Sequence, residues 1–175
     1  MNNNTYVHKY LKPLITDDSV CADMTMGNGN DTLFLCQHAK KVYAFDISKE
    51  ALVNTAKRLE GYTNHVLVLD SHTNADKYIK EKCDFIIFNL GYLPKAVTYS
   101  VTEKSESLAA VRKSLDLLSN NGYLIITFYI GHPGGKEEYE LINKYINDNK
   151  LNVIDIYFQE KENSPISYII KKSPR

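Results

Sequence analysis

The stretch Val20-Cys21-Ala22-Asp23-Met24-Thr25-Met26-Gly27-Asn28-Gly29-Asn30-Asp31-Thr32 constrains the fold more than any other part of this chain. It opens apolar, passes an acid and reaches two glycines one residue apart. Leu33-Phe34-Leu35-Cys36 then reads as the start of a helix. Strand, glycine turn and helix, in that order, predict a crossover whose turn can hold a nucleotide. Glycine bends the backbone tightly and lets a ligand come close. The helix start adds N–H groups that have no partner inside the helix. The dinucleotide fingerprint G-x-G-x-x-G needs a third glycine, which is missing, so a nicotinamide dehydrogenase is disfavoured. For this stretch alone, the competing reading is a tight turn with no ligand.

The rest of the chain continues the alternation. Val7, Tyr10, Leu11 and Leu14 have helical spacing over residues 5–15, limited by Pro13. Lys41–Asp46 reads as a second strand, and Ser48 to Leu59 as a helix with Leu52, Thr55, Ala56 and Leu59 on one face. Val66–Asp70 is a third strand with a helix from about Asn74. Asp84–Phe88 is a fourth, apolar enough to be buried on both faces. Leu108, Val111, Leu115 and Leu118 mark a helix capped by Thr102 or Ser105 and ended by Asn121-Gly122. Tyr123–Tyr129 is a fifth strand, and Glu137 to Asn149 a helix. Asn152–Phe158 and Ile166–Lys171 close the chain as two strands joined by a hairpin-like connection, the last one antiparallel. The expected fold is therefore α/β and Rossmann-like. It has a seven-stranded, mostly parallel sheet with a final antiparallel strand and helices on both faces. Residues 1–175 are expected to form one domain, with the first 15 packing as a helix on the core.

Totals narrow the function classes. With 21 basic and 21 acidic residues, the formal net charge is zero. Nucleic-acid binding thus needs a local patch, for which Lys57-Arg58, Arg112-Lys113 and Lys171-Lys172 are candidates. No apolar run is long enough to cross a membrane, and the start lacks the order of a signal peptide, so a cytoplasmic location is expected. Cys21, Cys36 and Cys83 lie in apolar stretches without metal-ligand spacing. They are read as reduced core residues, and no metal is expected.

Two acids, Asp46 and Asp70, stand where a nucleoside ligand needs them. Asp46 ends the second strand and can accept bonds from both ribose hydroxyls; helix capping is its alternative role. Asp70 and Ser71 follow the third strand, where they can face an adenine or cap the next helix. The sequence Asn89-Leu90-Gly91-Tyr92 ends the fourth strand beside the point where the strand order should reverse. The Asn89 side-chain oxygen and the Leu90 carbonyl can accept bonds from a nucleophilic nitrogen, and Tyr92 offers a flat face to a base. His72 and His132 lie at strand ends and can take up a proton, although a structural role is the commoner fate of such histidines.

These motifs resemble those of methyltransferases. Asp23-x-Thr25-x-Gly27-x-Gly29 resembles the first motif of S-adenosylmethionine-dependent enzymes, with Thr25 in place of the first glycine. Asn89-Leu90-Gly91-Tyr92 resembles the Asn-Pro-Pro-Tyr motif of amino-group methyltransferases, with the two prolines replaced. Together with Phe45-Asp46-Ile47, Asp70-Ser71-His72, Leu93-Pro94 and Gly131-His132-Pro133-Gly134-Gly135, they resemble one bacterial family of small class I enzymes, the rRNA methylase family. The resemblance implies S-adenosylmethionine as cofactor and the anticodon region of tRNA as partner. The implied reaction converts 5-aminomethyl-2-thiouridine at the wobble position to 5-methylaminomethyl-2-thiouridine. It implies a cofactor site of Asp23, Thr25, Gly27, Asn28, Gly29, Asn30, Asp31, Thr32, Asp46, Ile47, Asp70, Ser71, His72, Asn89 and Leu90. Asn89, Tyr92 and His132 would serve the reaction, and Gly91, Tyr92, Leu93, Pro94, His132, Pro133 and Gly134 the substrate. A methyltransferase of rRNA or of a small amine, and a binding module without activity, are the rival readings. A homodimer would widen the basic surface and is one expectation. Lys95-Ala96-Val97-Thr98 departs from the glycine-rich segment expected there.

Overall fold

The computed structural model describes residues 1–91 and 101–174, with side chains for all of these except 101–105. In chain order the elements are α1 (Asn3–Leu11), β1 (Val20–Asp23), α2 (Asn30–His38), β2 (Lys41–Asp46), α3 (Lys49–Arg58) and β3 (His65–Leu69). A 3-10 turn (His72–Asn74) and the short α4 (Ala75–Tyr78) lead to β4 (Cys83–Leu90). Then come α5 (Val101–Leu117), β5 (Leu118–Phe128), α6 (Gly135–Asp148), β6 (Val153–Phe158) and β7 (Ile166–Lys171). The strands form one sheet in the order β3-β2-β1-β4-β5-β7-β6. β1 to β5 pair in parallel, and β7 runs antiparallel between β5 and β6. The expected architecture is therefore the observed one.

Side-chain parity sorts the core into two layers. On β4, Phe85 and Ile87 pack with Val7 and Leu11 of α1 and with Phe34 and Leu35 of α2. Ile86, Phe88 and Leu90 pack on the other face with Ala110, Val111, Ile142 and Ile146 of α5 and α6. Successive strand residues point to opposite faces, so Asn89 shares the face of Phe85 and Ile87 and points toward α1 and α2. The order reverses between β1 and β4, which opens a crevice beyond their carboxyl ends.

Most boundaries shift by one or two residues, and two differ by more. α1 begins at Asn3, because the Asn2 side chain accepts the Thr5 N–H at 2.8 Å and caps it. Leu14 lies beyond the helix and is exposed. Asn121-Gly122 does not end α5, which stops at Leu117; the pair lies inside β5. There Asn121 takes φ 64°, and its N–H donates to Lys172 O at 3.0 Å. A Cβ on Gly122 would meet Ser119 O at 2.9 Å, so this bend beside the β4 bulge requires glycine. The candidate caps Thr102 and Ser105 lie outside the residues whose side chains are described.

Candidate functional site

The turn after β1 is built around a buried acid. Asp23 is 0 % exposed; its Oδ2 accepts the Thr32 hydroxyl at 2.7 Å and its Oδ1 the Thr25 N–H at 3.2 Å. Burial, and then the neighbouring Asp31 charge, push its pKa up to about 7. Thr25 Oγ1 in turn accepts the Asn89 N–H at 2.7 Å, tying β1 to β4 across the crevice. The two glycines do different work. A Cβ on Gly29 (φ +83°) would lie 2.8 Å from Thr55 Oγ1, so this residue lets α3 close on the turn. A Cβ on Gly27 (φ +52°) would meet nothing nearer than Thr25 O at 3.9 Å, so that backbone borders open space. Asn28 and Asn30 are exposed. Asn28 is held on its outer side, its carbonyl accepting Arg58 Nε at 2.8 Å and its side chain Asn54 Nδ2 at 3.2 Å. Arg58, from one of the candidate basic patches, is exposed and spends its Nε on this turn.

The acids after β2 and β3 part ways. Asp46 Oδ2 accepts the Gly27 N–H and Oδ1 the Ser48 N–H, both at 2.9 Å, which fixes the carboxylate beside the glycine turn. Ser48, not Asp46, caps α3 by accepting the Ala51 N–H. Ile47 beside it is 78 % exposed, an apolar side chain left in the open. Asp70 is spent locally: it accepts from Ser71 N, Asn74 Nδ2 and the Tyr78 hydroxyl. These bonds hold its pKa below the usual carboxylate range. Ser71 caps the 3-10 turn through Thr73 N. Ser71 thus takes the capping role weighed for it, and Asp70 braces the turn from just before the cap. His72 Nδ1 donates to Met24 O at 3.0 Å, which fastens the 3-10 turn to the end of β1. Burial lowers its pKa.

Asn89 stands at the centre. Its Nδ2 donates to Asp31 Oδ2 at 2.6 Å, and the other Asp31 oxygen lies 2.6 Å from His8 Nε2. Its Oδ1 lies 3.5 Å from the Tyr129 hydroxyl, which is also 3.5 Å from Asn4 Oδ1. An Asn facing a carboxylate must turn its NH2 there, so Oδ1 points the other way. The Leu90 carbonyl, expected to meet the acceptor nitrogen, accepts the Tyr129 N–H at 2.8 Å and prolongs the β4–β5 pairing. Gly91 has φ +84°, and a Cβ there would meet Tyr129 O at 3.0 Å. A Cβ on Gly135 would lie 2.1 Å from the same oxygen, so the loop after β5 packs backbone to backbone on the end of β4. In that loop His132 sits edge-on to the Tyr129 ring at 5.8 Å, Pro133 is exposed, and Gly134 takes φ +77°. Tyr92, Leu93 and Pro94 lie outside the described residues.

His8, Asn4 and Tyr129 are the site neighbours that the motifs did not indicate. Asn4 and His8 are four residues apart and so share one face of α1. Among the described residues no cluster of histidine, cysteine or acid is placed to hold a metal. Burial raises the pKa of all three cysteine thiols, as expected of core residues.

A glycine turn at β1, an acid at the end of β2 and an Asn at the end of β4, on a sheet closed by an antiparallel hairpin, define a class I S-adenosylmethionine-dependent methyltransferase. The family model described as "Putative rRNA methylase" matches residues 42–172, and the chain belongs to that family. The fold class and cofactor expected from the sequence agree with this membership. Over 154 residues the chain is 29% identical to a tRNA (mnm(5)s(2)U34)-methyltransferase, chloroplastic, of Arabidopsis thaliana. The match takes in 79% of this chain and 56% of that one, so the chain spans little more than half the relative's length. A Streptococcus mutans protein solved in complex with SAH is 35% identical with a TM-score of 0.86, covering 98% of each chain. An rRNA methylase from Streptococcus thermophilus is 33% identical with a TM-score of 0.83, covering 99% of this chain and 98% of its own. Among the described residues no helix is long and apolar enough to cross a membrane.

Proposed function

We propose that this methyltransferase N-methylates the aminomethyl group of 5-aminomethyl-2-thiouridine at the tRNA wobble position. The observation that carries this reading is the Asn89 amide, whose NH2 is held by Asp31 so that Oδ1 serves as an acceptor at the end of β4. An oxygen there suits a nucleophile that bears hydrogens, as an amine does. The Arabidopsis relative supports tRNA as the polymer.

The residues present fit the cofactor. Gly27 borders open space, the Asp46 carboxylate is fixed beside it, and Ile47 offers exposed apolar surface. Gly27 and the start of α2 would receive the methionine end, Asp46 the ribose hydroxyls and Ile47 the base. S-adenosylmethionine supplies a methyl group already activated on a sulfonium. The chain's own task is then to bind and align the nitrogen. Asn89 Oδ1 would accept one amine N–H and so aim the lone pair. Tyr92 would carry the base, and His132 beside Tyr129 would take up the proton released as the new C–N bond forms.

Mass spectrometry of nucleosides from tRNA of a strain lacking the gene tests the reading. Accumulation of 5-aminomethyl-2-thiouridine, reversed by the intact gene and not by Asn89→Ala, is the expected result. Unchanged tRNA would overturn it. The family description and the Streptococcus thermophilus relative favour rRNA as the second reading, and nucleosides from rRNA of the same strain would then show the deficit.

A further inference from the structure

Asn89 can aim an acceptor nitrogen only if its amide is held in one of two orientations that differ by exchange of N and O. Asp31 makes that choice, since a carboxylate only accepts. The carboxylate itself needs an anchor, because it is buried near Asp23. The anchor is His8, whose Nε2 meets Asp31 Oδ1 at 2.6 Å while its ring stacks on Phe34 at 4.0 Å and 5°. The ring is therefore fixed in its plane as well as at its nitrogen. The helix that carries it is fixed too. Asn3 Nδ2, buried at the start of α1, donates to Tyr157 O, Pro165 O and Ser167 Oγ on the closing hairpin. Tyr6 stacks on Tyr157 at 3.9 Å. One turn before His8, Asn4 approaches the Tyr129 hydroxyl that borders Asn89 Oδ1. α1 thus reaches both ends of the amide from outside the span matched by the family model.

We propose that His8 is a positioning residue of the methyl-transfer site: through Asp31 it fixes the Asn89 amide so that Oδ1 faces the acceptor nitrogen. The inference rests on the reading of Asn89 given above. His8 need not touch the substrate. It acts as outer partners of catalytic groups do, by removing wrong orientations of the group that does touch it.

The test uses the full chain, S-adenosylmethionine and tRNA from the deletion strain. His8→Phe keeps the ring on Phe34 and deletes the donor; His8→Gln keeps a donor. His8→Phe is expected to lower kcat on the order of 100-fold, with KM for S-adenosylmethionine unchanged. His8→Gln should recover part of the loss. In an Asn89→Ala background His8→Phe should cost nothing more, because the group it orients is gone. An unchanged kcat, or a loss that adds in full to that of Asn89→Ala, would overturn the proposal. A second readout needs no substrate: the side-chain 15N–1H pair of Asn89, compared between the wild-type and His8→Phe chains. One hydrogen shifted far downfield and protected from exchange in the wild type but not in His8→Phe supports the proposal; the same pair of signals in both chains overturns it. If wild-type enzyme leaves this tRNA unmethylated, the wobble reading fails on its own, and the amide signal still decides the role of His8.

Discussion

Asn89 Nδ2 and Asp31 Oδ2 are 2.6 Å apart, which joins the end of β4 to the second residue of α2. Both Asp31 oxygens are committed, one to Asn89 and one to His8. The resemblance implies a place for Asp31 at the cofactor, and the proposed function adds a role behind the Asn89 amide. Asp31→Asn would set an NH2 against either Asn89 or His8 and release the amide. Turnover should fall on the order of 100-fold, with the Kd for S-adenosylmethionine changing far less. Calorimetric titration beside single-turnover kinetics checks this. Affinity falling in step with turnover would return Asp31 to the cofactor.

Gly27 and Gly29 look equivalent in sequence and are not so in space. Gly29→Ala combines φ +83° with a Cβ 2.8 Å from Thr55 Oγ1, and it should cost about 2–4 kcal/mol of stability. Thr55→Ala added to it should recover the steric share and leave the backbone share. Gly27→Ala carries strain at φ +52° without a close neighbour, at about 1 kcal/mol. It should instead weaken S-adenosylmethionine binding, because its methyl enters the open space. Urea titrations of the three variants separate these effects, and equal destabilisation by the two glycine changes would contradict the division.

Much of this was legible because it is local. β2 and β7 have the ends that alternation and turn residues predict, and the acids at 23 and 46 fall where a strand meets a helix. Even the direction of Asn89 follows from parity with Phe85 and Ile87. The partners of Asn89 were not legible: Asp31 and Tyr129 lie 58 and 40 positions away and meet it at the end of β4, and His8, 81 positions away, reaches Asp31 only when α1 is laid beside α2 and β7. Asp70 shows a local role that its position alone did not reveal. Its place at a strand end suits a ligand, and Ser71, Asn74 and Tyr78 follow closely enough to bond it as well. Asn121-Gly122 misled for a related reason: the same pair that ends helices also makes the bend inside β5.

Asn3 links the closing hairpin to the site. It is 4 % exposed, and its Nδ2 donates to three oxygens of the β6–β7 region. Asn3→Ala strands those acceptors and should cost about 1–3 kcal/mol. It should also loosen α1 and with it His8, so kcat should fall even well below the melting temperature. Loss of stability with full turnover in the folded fraction would show that α1 holds its place without this anchor.

Asp23 makes the fold sensitive to pH. Folding raises its pKa from an ordinary 3.8 to about 7, chiefly by burial and secondly by the Asp31 charge. Between those values the folded chain keeps a proton that the unfolded chain has released. The native state therefore binds more protons, and stability must fall as pH rises through this window. Above about pH 7 both states are ionised and the contribution levels off at its least favourable. Asp23→Asn keeps an acceptor for the Thr25 N–H and lets the Thr32 hydroxyl turn to accept. Other titrating groups are shared by both chains, so the difference between them isolates Asp23. Urea unfolding of the two chains should show the wild type losing stability relative to the variant as pH rises toward about 7, by at most about 1.4 kcal/mol per pH unit. A constant difference across that range would mean that Asp23 is ionised throughout. The Asp23–Asp31 pair would then be two buried negative charges side by side.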